Sequence, residues 1–215
     1  MADFSIIFQI LNLLIFLVIV LVLLGLIIVL AFFLILEGLI LPFGYYYHIG
    51  KSAIYAEIPY DESIDHTAII VIVYSRRYFY KRFFVYLSGV ELLTKGLKKL
   101  DEPYVLYRCP TPQRFIEIIN KETAKRIWII GHGVKHGVSF GKEILYYCEV
   151  GEAYKKTKNA PKEYVKQLHC NEYGGKSLID YICDNKEKSF VTDNARSWHE
   201  NRKYIIDTLD EMKKK

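Results

Sequence analysis

The chain has 215 residues, room for one ordinary domain and an accessory segment. Its 29 Lys and Arg outnumber 24 Asp and Glu for a net charge of +5, yet all 29 cations lie at or after Lys51, where they meet only 22 acids. That split excludes a uniformly water-exposed chain. The four cysteines, Cys109, Cys148, Cys170 and Cys183, form no CxxC pair, which excludes the commonest thiol redox and zinc spacings.

Residues 4–43 contain no Lys or Arg and a single acid, Glu37. A spanning helix needs about 20 apolar residues, so this stretch is long enough to cross a bilayer. It is too long for the core of a signal peptide, and no basic residue precedes it, so it reads as a retained transmembrane anchor. Forty helical residues would run about 60 Å, twice the hydrocarbon thickness. The stretch is therefore one long helix or a two-span hairpin, with Gly25 the only candidate break; one span over Leu11 to Leu34 is the simpler reading. The basic flank after it, Lys51 and then Arg76, Arg77, Lys81 and Arg82, places the following domain in the cytoplasm by the positive-inside rule. Cysteines in that compartment are expected to be reduced. Tyr45, Tyr46 and Tyr47 fit an interfacial aromatic belt.

Residues 44–65 read as a linker, and residues 66–215 as the soluble domain. Thr67 to Tyr74 is rich in β-branched residues and predicts the central strand. Ser75 to Tyr86 interleaves Arg76, Arg77, Lys81 and Arg82 with six aromatics. Such a pattern suits a lipid surface or packing into the domain better than nucleic acid, because base stacking is a nonspecific signal. A helix follows with Val90, Leu93, Leu97 and Leu100 at helical spacing, then a strand over Tyr104 to Arg108. Thr111 and Pro112 predict a capped helix start, with Phe115, Ile116 and Ile119 on its buried face. Arg126 to Ile130 is the third strand, broken by Gly131, His132 and Gly133.

Residues 134–162 read as a long insert with a short hairpin near Ile144 to Tyr147. Tyr164 to Leu168 is the fourth strand, followed by His169 and Cys170. A helix bearing Leu178, Ile179 and Ile182, a fifth strand over Ser189 to Thr192, and a helix opened by the capping box Ser197 to Glu200 complete the domain. Alternating strands and helices predict an α/β fold in three layers around a mainly parallel sheet.

His132 and Cys170 both follow strands that end at the same edge of such a sheet, where open α/β folds place their ligands. A cysteine attacks as thiolate and needs a basic neighbour, and a histidine within hydrogen-bond reach supplies one and later protonates the leaving group. The backbone N–H groups of Gly133 and Cys170 are candidate oxyanion donors. A zinc site built from His132, His136, His169 and Cys170 has no accepted ligand spacing. Cys109, Cys148 and Cys183 read as structural.

A strand ending in His-Gly, here Ile129 to Gly133, followed by a strand ending in Cys, here Leu168 to Cys170, resembles the caspase-like cysteine peptidases, a group with metacaspase, clostripain and CHAT branches. The resemblance covers residues 66–210. It implies a peptidase with His132 as base and Cys170 as nucleophile, a protein or peptide substrate, and no metal or other cofactor. It also marks Arg76 and Arg77 as candidate contacts for a substrate or anion, since caspases carry an arginine after the first strand. His169 departs from the family, which commonly has a small residue or Gln before the cysteine. An alternative is a non-enzymatic membrane effector, similar to those with a Rossmann-like CARF sensor, whose domain binds a nucleotide or other anionic ligand. No Gly-rich phosphate fingerprint follows the first strand. A further alternative is an inactive caspase-like scaffold that acts through homo-oligomerisation of its anchor.

Overall fold

A computed structural model describes residues 2–35, 65–157, 160–170, 175–184, 186–192 and 197–214. The chain divides into two units, Met1–Phe43 and Gly44–Lys215. In the first, helix α1 (Ala2–Ile35) runs through Gly25 without a break. The described part is therefore one helix and not a hairpin. Its Leu11–Ile35 stretch, 25 residues, is long and apolar enough to cross a membrane, and none of it is buried in protein. The residues between 36 and 64, with the tyrosine belt and the linker, lie outside the described residues.

The second unit is an α/β domain. Its five-stranded parallel sheet comprises β1 (Thr67–Ile72), β2 (Tyr104–Cys109), β3 (Arg126–Ile130), β7 (Tyr164–Cys170) and β8 (Phe190–Thr192). Their order in space is β2-β1-β3-β7-β8. Counting only these strands, the order is 2-1-3-4-5, one of the two common doubly wound arrangements. The direction of winding reverses between β1 and β3. Every residue of β1 is buried, as expected for a strand covered on both faces.

The helices form two layers. α2 (Phe79–Leu87) and α3 (Val90–Lys99) pack with α7 (Trp198–Lys213). α5 (Tyr147–Lys155) packs with α4 (Pro112–Lys121) and α6 (Ile179–Ile182). Thr111 caps α4 by accepting the Arg114 N–H at 3.2 Å, with Pro112 in the first turn. That helix buries Phe115, Ile118 and Ile119; Ile116, expected on this face, is only partly buried, because 3.6-residue winding turns it to the flank of the stripe. Ser197 and Glu200 close the expected capping box of α7.

The insert is more ordered than its glycines suggest. After β3 the chain forms a small antiparallel sheet of β4 (His132–Val134), β5 (Gly137–Ser139) and β6 (Ile144–Tyr146), and then enters α5. Gly151, in the middle of α5, lets the helix approach α6: a Cβ there would lie 2.4 Å from the Tyr181 ring. Close packing thus explains a residue that costs helix stability in isolation.

Candidate active site

The carboxyl edge of the sheet is assembled around Tyr74, two residues beyond β1. Its buried hydroxyl accepts the His132 N–H at 2.8 Å and donates to the Ser139 carbonyl at 2.8 Å. One side chain thereby fixes the start of β4 and the end of β5 above the end of β1. Lys81, from α2, donates to the Ser139 hydroxyl at 2.8 Å and to the Gly141 carbonyl at 3.4 Å. Its ammonium also lies 5.7 Å from the Tyr74 ring centroid and 5.6 Å from that of Tyr78. Burial pushes its pKa down.

The His132 ring lies 4.5 Å from Phe84 of α2, tilted, and 5.8 Å from Tyr74, edge-on. Burial holds its pKa down to about 4; the charge of Lys81 acts in the same direction, and a hydrogen bond with the Lys81 backbone opposes both. His132 is therefore neutral at pH 7, and the same burial makes its ring a weaker base than a free imidazole.

Gly133 and Cys170 meet through their backbones. A Cβ at Gly133 would lie 1.6 Å from the Cys170 carbonyl oxygen, so no other residue fits without moving β4 off β7. Side-chain alternation along β7 then decides which face each residue serves. Lys166 lies 5.5 Å from the Tyr204 ring of α7, which puts it on the α2/α7 face; the pairing of β7 with β8 shifts register between Lys166 and Cys170. The His132 ring contacts α2 on that same face. The structure thus brings His132 and Cys170 to adjacent strand ends, both half-buried, and the Cys170 thiol acts on the Tyr147 hydroxyl of α5, whose pKa burial and this charge raise.

His169 falls on the opposite face. It is buried and bonded to Tyr147 of α5, with Nε2 2.9 Å from the tyrosine oxygen. Burial also lowers its pKa to about 4, against an interaction with the Ile129 backbone.

Arg76 and Arg77 lie in a 3₁₀ turn (Arg76–Tyr78) at the same edge, directly after β1. Arg77 is exposed and sits 5.0 Å from the Tyr78 ring centroid; the Arg76 side chain lies outside the described residues. Gly175 adopts a positive φ of 92°, consistent with a sharp turn after β7, whereas 171–174 lie outside the described residues. His136 lies in the β4–β5 turn, with Nδ1 3.4 Å from the Lys176 carbonyl. Among the described residues, no three His, Cys, Asp or Glu side chains gather where they could hold a metal ion. All four cysteines are free thiols. Cys109 is buried, which pushes its thiol up to about 12, whereas Cys148 is exposed.

Sequence reasoning missed Tyr74, Lys81, Tyr147 and Gln167. The signal for the last was present: Gln167 and His169 alternate on a strand whose other members are mostly apolar, which puts two polar side chains on one buried face.

No family model matches the chain, and no curated protein matches it in sequence. Among solved structures, it is similar to the flavodoxin-like domain of a Synechococcus sp. protein, at 11% identity and a TM-score of 0.34, over 69% of this chain and 99% of that one. At that TM-score the likeness carries no argument for function. The assignment to the doubly wound α/β class rests on strand order and helix layers alone.

Proposed function

We propose that the protein is a membrane-anchored cysteine peptidase of caspase-like type, with His132 as general base and Cys170 as nucleophile. One observation carries the reading: the Gly133 backbone rests on the Cys170 carbonyl, so the strands bearing His132 and Cys170 converge. His132 takes the proton from Sγ as Sγ bonds the scissile carbonyl carbon. The C–N bond then breaks as the same proton passes to the departing amine, and water hydrolyses the thioester. The Gly133 and Cys170 N–H groups face the developing oxyanion. Arg77, with Arg76, offers positive charge to an acidic part of the substrate.

The basic flank of α1 directs the domain to the cytoplasm. Tethering raises its effective concentration toward proteins at the membrane, and the anchor supplies a surface for self-association. A sensor of anionic ligands is less well supported. Its ligand would occupy the crevice between β1 and β3, and the residues beyond β1 are already engaged by the insert, through Tyr74 to Ser139 and Lys81 to Ser139 and Gly141.

The test is a peptide-library digest with the full chain in detergent micelles. Cleavage is expected, and is lost in both Cys170→Ala and His132→Ala. Cleavage that survives either substitution overturns the assignment.

A further inference from the structure

A buried polar triangle lies beneath the proposed site, on the α5 face of the sheet. Tyr147 Oη lies 2.9 Å from His169 Nε2, Gln167 Nε2 lies 3.1 Å from the same atom, and Gln167 Nε2 is 3.2 Å from Tyr147 Oη. All three side chains are at most 1% exposed. An apolar layer would fill this space without the desolvation cost of three polar groups, so the hydrogen bonds must do something that packing alone does not.

Their place in the chain shows what that is. His169 immediately precedes Cys170. The Cδ2 edge of its ring faces Gly133, where a Cβ would lie 2.9 Å away. Tyr147, bonded to the adjacent ring atom Nε2, donates its backbone N–H to the His136 carbonyl at 2.9 Å, in the turn between β4 and β5. The path runs from His169 to Tyr147, to the His136 turn, back along β4 to Gly133, and across to Cys170. It is a closed ring of hydrogen bonds, backbone and contact. Hydrogen bonds to Nε2 also fix the rotation of the imidazole, which an apolar side chain would leave to packing.

We propose that His169, keyed by Tyr147 and Gln167, is a positioning residue that holds Cys170 at its working distance from the strand bearing His132 and Gly133. The inference rests on the peptidase reading of His132 and Cys170. His169 makes no contact with substrate; it acts through the backbone of its neighbour.

The test compares how strongly Cys170 depends on His132 in different backgrounds. Iodoacetamide alkylation of Cys170 is followed at pH 7 in the full chain in micelles, by mass spectrometry of the Cys170 peptide, with and without His132→Ala. In the wild-type background the His132-dependent factor is expected to be about tenfold or more, because losing a basic neighbour cuts the thiolate fraction at pH 7. Tyr147→Phe, which removes one oxygen, is the decisive variant, and the factor is expected to fall to about threefold or less. In His169→Leu it approaches one. His169→Gln, which keeps an acceptor near Nε2, restores most of it. A purely structural triangle would lower Tm in Tyr147→Phe and leave the factor unchanged, and that result overturns the inference alone. A factor of one in the wild type overturns the peptidase reading and the inference together.

Discussion

The two edges of the sheet bury the same kind of residue for different ends. At the amino edge, His66 Nε2 lies 2.8 Å from Glu122 Oε1, and both side chains are almost wholly buried. The same oxygen accepts the Ala124 N–H at 2.8 Å, and Lys162 donates to the Glu122 carbonyl at 2.5 Å. Nearby, Arg126 pairs with Glu102 at 2.8 Å and Asp65 at 3.1 Å. At the carboxyl edge, His132 and His169 lie instead among aromatic rings, hydroxyls and backbone groups, and burial keeps both neutral at pH 7. A histidine matched to a carboxylate holds elements together. A histidine kept neutral keeps a ring nitrogen as acceptor, at a cost in basicity.

If that division is right, damage at one edge should leave the other intact. The largest effect is expected for Glu122→Ala, which takes the buried carboxylate from the His66 ring and the Ala124 N–H and its charge from beside Lys162, whose bond to the residue 122 carbonyl remains. Stability should fall by about 3 kcal/mol or more, as when one member of a buried pair is removed. The His132 dependence of Cys170 alkylation should be unchanged under conditions where the variant is still folded. Chemical denaturation with alkylation in parallel measures both, and a lost dependence in the folded variant would break the comparison.

Gly133→Ala is expected to act at the carboxyl edge. Its Cβ would fall 1.6 Å from the Cys170 carbonyl oxygen, so β4 must move away from β7. A stability loss of about 1–3 kcal/mol is expected from such overpacking. The dependence of Cys170 on His132 should vanish with it. If the dependence survives, backbone contact between the two strands is not what sets the site.

The acid response should also come from the carboxyl edge. Both His132 and His169 have folded pKa values near 4, below the ordinary 6.5. Above pH 6.5 both states are neutral there, and stability is independent of these groups. Between pH 6.5 and 4 the unfolded chain binds protons that the folded chain does not, so stability falls with pH through that window. For the fully buried His169 the loss should be on the order of 3 kcal/mol by pH 4. Thermal melts from pH 7 to 4 should therefore be flatter for His169→Gln than for the wild type. An equal slope in the two would show that His169 titrates normally.

The outline of the domain was legible because its strands are short β-branched runs and its helices carry their own start signals. Thr67 to Ile72, Thr111 with Pro112, and the Ser197 box needed no tertiary information. Of the insert, the hairpin near Ile144 was legible, and β6 pairs antiparallel with β5 there; the rest was not. Gly137, Gly141 and Gly151 read as loop residues, yet Gly137 belongs to β5 and Gly151 to α5, where each permits a close approach that only the folded structure reveals. The aromatic and basic run 75–86 was legible as a segment for a lipid surface or for packing into the domain, but not that Lys81 would turn toward Ser139 across 58 residues of sequence. His132 and Cys170 were placed by topology alone. The Tyr147, Gln167 and His169 triangle depends on a helix that the sequence pattern did not disclose.

The most direct measurement is the alkylation rate of Cys170 at pH 7 in the full chain, wild type against His132→Ala, with exposed Cys148 as the internal reference. Cys170 should slow by about tenfold or more on loss of the base, as its thiolate fraction falls, while Cys148 reacts at an unchanged rate. Equal Cys170 rates in the two proteins would contradict the peptidase reading and leave the carboxyl edge as a structural feature without a thiol chemistry.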